Sequence, residues 1–245
     1  MRTAVIFLTR IPTGRGTPSE AAWRWAPAWF PLVGAVLGLA GSLVYFLLGR
    51  AGGLVAAGAT LAVLAVLTGA MHEDGLADTA DALGGGRDRD QVFAILKASR
   101  IGRFGATALG LALLLRAGSL ASLGPRALWA LPLVGLLSRL TPVWLMASLP
   151  YVTPAENARS SDVVRGKRAP AAIATCVAVA ACAALWLVCA VPLLEVGGAF
   201  LACLVVAGLC GWRFAARAGG VTGDFLGATQ QITEVVLLVA LAAWI

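Results

Sequence analysis

Apolar residues run along this chain in blocks too long for the core helices of a water-soluble protein, and the polar positions gather between the blocks. Stretches of spanning length, about 17–25 residues, read at Trp29–Leu48, Gly53–Met71, Phe104–Leu120, Ala127–Leu149, Ala171–Leu194, Gly197–Arg213 and Ile232–Ile245, the last reaching back toward Asp224. In hydrocarbon the backbone must satisfy its own hydrogen bonds, which a helix does. The pattern predicts an all-α, polytopic transmembrane helix bundle of about seven spans, forming a single membrane domain over 1–245 with no soluble domain, low-complexity linker or internal repeat. The second span reads as continuous from Gly53 through Met71 into a polar helix stopped by Gly84-Gly85-Gly86. Gly34 and Gly38 have the GxxxG spacing that lets a neighbouring helix approach closely, with Gly41 beyond them, although 29 glycines make such spacing common by chance.

Composition agrees. The chain is 60% hydrophobic and only 13% charged, with a mean hydropathy of +0.87, against about a quarter charged in soluble domains. Ala4–Leu8 is too short for the apolar core of a cleavable signal and runs into Arg10 and Pro12, so the first residues read as cytosolic or interfacial. Five cysteines lie in two late apolar stretches with no CxxC, and read as small hydrophobes. His72 is the lone histidine, too little for a zinc site.

A net charge of +7 could suggest nucleic acid, but the placement of the cations points to a membrane. Of nineteen Lys and Arg, fifteen fall in 1–28, 72–103, 150–170 and 213–224; Arg50, Arg116 and Arg126 fall in the opposite turns and Arg139 within a span. This is the positive-inside asymmetry, and it puts those four segments on the cytosolic face. Trp23, Trp25 and Trp29 read as interfacial anchors, not as stacking platforms for bases.

Half of the twelve acids sit in the eighteen residues from Glu73 to Asp90. In an oily protein such crowding costs desolvation and repulsion unless a cation compensates. At about 100° per residue, Asp74, Asp78 and Asp81 share a sector of roughly 60° at the cytosolic end of a helix, with Glu73 about a quarter-turn away. A solvated helix end paired to Arg87 and Arg89 would tolerate Glu, Lys or Gln. Three short carboxylates on one face fit a hard divalent cation such as Mg²⁺ better. Lys97, Ser99, Arg100 and Arg103 then arrive just before the next span, the cations and hydroxyl that phosphate recognition requires. A late segment from Gly219 to Glu234 carries Thr222, Asp224, Thr229, Gln230, Gln231 and Thr233 into the last span, and polar groups at such density usually face a site. His72 reads either as a hydrogen-bonded helix residue or as a base. Arg10 reads as a snorkelling cation or a substrate contact, and Arg139 as a cation in need of a partner or a cavity.

Asp74-Gly75-Leu76-Ala77 resembles part of the CDP-alcohol phosphotransferase pattern, but Asp78 stands where that family needs arginine and Asp88 and Asp90 have the wrong spacing. A closer resemblance covers almost the whole chain. His-Glu-Asp-Gly-Leu-Ala-Asp-Thr-Ala-Asp at 72–81, Gly-Gly-Gly-Arg-Asp-Arg at 84–89, Lys-x-Ser-Arg-Ile-Gly at 97–102 and Thr-Gly-Asp-x-Leu-Gly-Ala-Thr-Gln at 222–230 resemble the adenosylcobinamide-GDP ribazoletransferase (cobalamin synthase) family, and so do 7–12 and 30–34. The resemblance implies a Mg²⁺-dependent enzyme of the bacterial cytoplasmic membrane, facing the cytosol. Its small-molecule substrates would be adenosylcobinamide-GDP and α-ribazole or its 5′-phosphate, with GMP released. It implies Asp74, Asp78, Asp81 and Asp224 as metal ligands and Glu73 or His72 as the base, an Asp released from the metal being a further choice. Arg10, Lys97, Ser99, Arg100, Thr222, Thr229, Gln230 and Gln231 become substrate contacts. Partners are those substrates and the lipid bilayer, not nucleic acid; a homo-oligomer stays open. An ion-coupled transporter would place its acids near mid-bilayer between repeated broken helices, and a scaffold would leave the acid spacing unexplained.

Overall fold

The computed structural model describes residues 1–14, 16–98, 100–152, 168–189 and 191–243. Helices α1 (Arg2–Leu8) and α2 (Glu20–Trp25) lead into α3 (Phe30–Leu48); α4 (Gly53–Thr68), α5 (Met71–Gly85) and α6 (Arg89–Leu96) follow. Next come α7 (Arg103–Leu123), α8 (Ala127–Ser138) and α9 (Leu140–Ser148), then α10 (Arg168–Cys189), α11 (Leu193–Ala218) and α12 (Gly223–Ala243). Among the described residues the extended pairing is confined to a parallel bridge between Tyr151 and Val221, which ties the end of α9 to the loop before α12.

Five helical stretches of the described residues are long and apolar enough to cross a membrane: Glu20–Ala51, Arg103–Ser148, Arg168–Cys189, Leu193–Ala218 and Gly223–Ala243. The pair α4 and α5 makes a sixth if counted as one bent span. Polarity is reversed relative to a soluble protein. Leu114, Leu187, Val188 and Leu194 are 71% to 83% exposed, while Thr60, Ser138, Thr141, Thr229, Gln230, Gln231 and Thr233 are buried. Apolar surface outward costs nothing in lipid, so the interior is free to collect hydrogen-bonding groups. Helix α12 is the most enclosed of the spanning-length helices and packs against α5, α7, α8, α9 and α11.

The expected continuity of the second span is wrong. Helix α4 ends at Gly69 with φ of 68°, and the next residue, Ala70, is also left-handed at φ 55°. The Ala70 N–H closes α4 on the Ala65 carbonyl at 2.8 Å, and its own carbonyl accepts from Asp74 N–H at 2.9 Å to open α5. Two successive left-handed residues turn the helix axis through 91°. Hydropathy reports the apolar run; it carries no signal for the sign of φ at an alanine, where that region costs roughly 1–2 kcal/mol.

The glycine spacing in α3 is structural. A Cβ on Gly34 would come 2.7 Å from the Gly135 carbonyl carbon, and one on Gly38 would lie 2.5 Å from Pro132 Cα, so α3 and α8 touch backbone to backbone. Pro132 deprives the Leu128 carbonyl of its helical donor, and the Ser42 hydroxyl of α3 stands 2.7 Å from that oxygen to replace it. Gly38→Ala should therefore destabilise the detergent-solubilised protein by about 1–3 kcal/mol of overpacking, read as a lower thermal midpoint. Gly58→Ala, where a Cβ meets nothing within 4 Å, should be neutral or stabilising. Equal effects would mean that the α3–α8 contact is not tight.

Candidate active site

Two helix N-termini carry the carboxylates. Helix α5 places Glu73 and Asp74 in its first turn, and α12 places Asp224 in its own, where the positive end of the helix dipole favours negative charge. The Thr222 hydroxyl accepts from Phe225 N–H at 3.2 Å and so caps α12. The helices meet at Gly75, where a Cβ would stand 2.8 Å from the Asp224 carbonyl oxygen and 3.2 Å from Gly227 Cα. This contact brings Asp74 and Asp224 to the wall of one cavity. Asp78, partly exposed, feels the charges of Asp74, Asp224 and Asp81.

The three aspartates of the predicted face do not all point one way. Asp81 turns to the start of α7, accepting from Gly102 N–H at 2.6 Å and from Gly105 N–H at 3.0 Å. Both donors are glycines whose Cβ would collide with this carboxylate. Among the described residues no three His, Cys, Asp or Glu side chains converge on a single point as placed. Mg²⁺ does not need that, since it is commonly held by one or two carboxylates with waters and substrate phosphates completing the octahedron. Hard oxygens from α5 and α12, repelling one another across a glycine contact, are a donor set of that kind.

The cavity encloses about 240 Å³. Its apolar wall includes Phe7, Phe30, Met71 and Met146, with the Phe7 and Phe30 rings stacked at 5.4 Å; its polar wall is His72, Asp74, Arg139, Asp224 and Gln230. The His72 side chain is buried and makes no hydrogen bond among the described residues.

Behind this wall lies a buried polar network. Arg116 Nη1 donates to Glu73 Oε1 at 3.1 Å and Gln231 Oε1 at 2.9 Å, and its Nη2 donates to Glu234 Oε1 at 3.0 Å. Gln230 Nε2 donates to Glu234 Oε2 at 2.5 Å and to Ser138 Oγ at 3.2 Å, and Gln231 Nε2 donates to Gln230 Oε1 at 3.0 Å. The reading of Arg116 as a residue of an outer turn is thus overturned: it is buried and joins α5, α7 and α12. A charge inside an apolar run was the available signal, and its partners Glu73 and Glu234, far apart in sequence, were not visible.

The remaining candidates fall in several places. Thr229 donates to its own helix at Phe225 O, 2.8 Å away, and is fully buried. Lys97 ends α6 and is exposed, as is Arg100, and Ser99 lies outside the described residues. The Arg10 backbone N–H donates to Leu67 O at 2.7 Å, and its side chain covers Gly69 at the α4–α5 bend. So the structure gathers His72, Asp74, Asp224 and Gln230 at one cavity, with Asp78 beside them. It does not bring Lys97, Arg100 or Arg10 to that wall.

The sequence model of the cobalamin-5-phosphate synthase family matches residues 1–242. The chain belongs to this family. Among its relatives are adenosylcobinamide-GDP ribazoletransferases of Leptothrix cholodnii, 39% identical over 99% of this chain and 93% of that protein, and of Sinorhizobium medicae, 41% identical over 98% and 94%. That of Bradyrhizobium diazoefficiens is 38% identical over 100% and 93%. No solved structure matches. The similarity to this family runs through both acid-bearing helices, α5 and α12, and through the N-terminal segment that lines the cavity.

Proposed function

We propose that the carboxylates of α5 and α12 hold Mg²⁺ at the mouth of a substrate cavity, and that this site performs the family's transfer. The chain is an adenosylcobinamide-GDP ribazoletransferase by family membership. In the reaction, a ribose hydroxyl oxygen of α-ribazole, or one that is left free on its 5′-phosphate, bonds to the cobinamide-side phosphorus of adenosylcobinamide-GDP. The bridging P–O bond breaks, GMP leaves with the electron pair, and the hydroxyl proton passes to a base.

The observation that carries this reading is the opposition of Asp74 and Asp224 across the Gly75 contact, with Asp78 close enough to feel both. Bound Mg²⁺ would neutralise charge developing on the transferring phosphoryl group. Of the chain's own groups, Asp74, Asp78 and Asp224 would hold the ion. Asp81 fixes α5 to the start of α7, and Glu73, engaged by Arg116, keeps the first turn of α5 in place. His72 lines the cavity and, beside an Asp released from the metal, is a candidate to accept the hydroxyl proton. The apolar wall keeps water from competing with the ribazole hydroxyl.

The same proposal includes topology. The stretch Arg103–Ser148 has 46 residues, about 69 Å of helix, more than twice the roughly 30 Å of bilayer hydrocarbon. Gly124 at φ 54°, followed by Pro125, divides it. Counting its halves separately, and the bent pair as one crossing, brings the total to seven. The Lys and Arg asymmetry then supports a cytosol-facing site in the inner membrane.

The test is turnover by purified protein given adenosylcobinamide-GDP and α-ribazole. GMP and adenosylcobalamin should form in Mg²⁺, stop on adding EDTA, and resume when Mg²⁺ is restored. Turnover indifferent to EDTA would remove the metal from this reading.

A further inference from the structure

We propose that the guanidinium of Arg139 is the anion receptor of the cavity, binding phosphate oxygens of a substrate through its Nε and Nη2 edge. This deepens the functional reading above and rests on it for the identity of the phosphate. Arg139 sits at the break between α8 and α9 and is 6% exposed. Its stem is packed so closely on α3 that a Cβ at Gly34 would come 2.6 Å from its Cδ. The side chain lines the cavity with Asp74, Asp224 and Gln230, and also a small void shared with Glu73, Arg116 and Glu234.

The bonding of Arg139 is incomplete. Nη1 donates to the Gly135 carbonyl at 3.2 Å and to Ser138 Oγ at 3.3 Å, both neutral acceptors. Nε is buried with no partner, and no other hydrogen bond is made by this guanidinium among the described residues. Of the nearby buried acids, Glu234 has both oxygens engaged, by Arg116 and Gln230, while Glu73 gives one oxygen to Arg116 and keeps Oε2 buried without a partner. No carboxylate lies within ion-pairing distance of Arg139 among the described residues. A buried, unpaired arginine in a membrane protein is costly and marks a ligand or ion path. A planar fork with one free edge suits a phosphate or diphosphate ester, which can accept two parallel hydrogen bonds. The acids of the same cavity, charged with Mg²⁺, would attract the same class of ligand from the other side.

The source of the phosphate is either the diphosphate of the donor or the 5′-phosphate of a nucleotide acceptor. Full-length protein in detergent can be melted with sodium pyrophosphate as the probe, sodium chloride being the ionic-strength control. Pyrophosphate should stabilise the unmodified protein and Arg139→Lys, and its apparent affinity for Arg139→Gln should be about tenfold to hundredfold weaker, the loss of a charge-assisted bond. Equal protection of the unmodified protein and Arg139→Gln overturns the proposal. Should Arg139→Gln fail to fold, Arg139→Lys decides by kinetics, since it keeps the charge and loses the fork. A raised KM for adenosylcobinamide-GDP assigns the donor, and a lost preference for α-ribazole 5′-phosphate over α-ribazole assigns the acceptor. Unchanged KM values for both overturn it. Absence of turnover in the unmodified protein would count against the proposed reaction alone, because the pyrophosphate assay needs no chemistry.

Discussion

Asp78→Asn should lower turnover by orders of magnitude and raise the Mg²⁺ concentration needed for half-maximal rate. The substitution keeps size and most hydrogen-bonding capacity, and removes one charge from a group crowded by Asp74, Asp224 and Asp81. Were these carboxylates a wet helix end, relieving their repulsion would leave activity near normal and the fold equally or more stable. If they hold Mg²⁺, the stabilisation lost is at the transferring phosphoryl group, where several kcal/mol of catalysis arise. The two expectations have opposite signs for stability and differ widely in rate. Ordinary turnover with ordinary Mg²⁺ dependence would remove Asp78 from the ligand set.

The largest structural effect is expected at Arg116. Arg116→Met leaves Glu73 and Glu234 charged and without their cation in the bundle interior. Breaking a buried pair by removing one partner typically costs about 3–5 kcal/mol. Thermal unfolding in detergent should show a loss of that size, and adding Glu234→Gln to the same chain should recover part of it, because one of the orphaned charges is then gone. A loss of about 1 kcal/mol or less, the range of exposed pairs, would mean that water reaches the network. Activity should fall as well, since Glu73 occupies the turn of α5 that carries Asp74.

Much of the helical course was legible because hydropathy is a local property: the apolar blocks became α3, α7, α10, α11 and α12, while the block Ala127–Leu149, expected as one helix, is broken at Arg139 into α8 and α9. Asp224 as the beginning of the last span and Gly85 as the end of the acidic helix were legible for a similar reason, being local stop and start chemistry. The right-angle turn at Gly69 and Ala70 was not, since it depends on a backbone conformation that an alanine rarely adopts. Helical periodicity placed Asp74, Asp78 and Asp81 on one face correctly in angle. It could not reveal that Asp81, near the far end of that face, meets the N-terminus of α7 instead of the cavity. Arg116 and Glu234 are 118 residues apart, so their pairing is a tertiary fact with no trace in spacing. Arg139 showed its need for a partner or cavity from sequence; the structure supplied the cavity.

The glycine at 75 has a consequence for cation choice. It leaves no side chain between α5 and α12, so the two helices that bear Asp74 and Asp224 stand about as near as helices can. On the reading proposed above, ion size then becomes a property of packing: Mg²⁺ wants oxygens at about 2.0–2.1 Å and Ca²⁺ at about 2.3–2.6 Å. A methyl group at 75 would act as a shim, widening the span between carboxylates without altering a single ligand. Discrimination between a small and a large divalent ion would thus reside in a residue that touches neither.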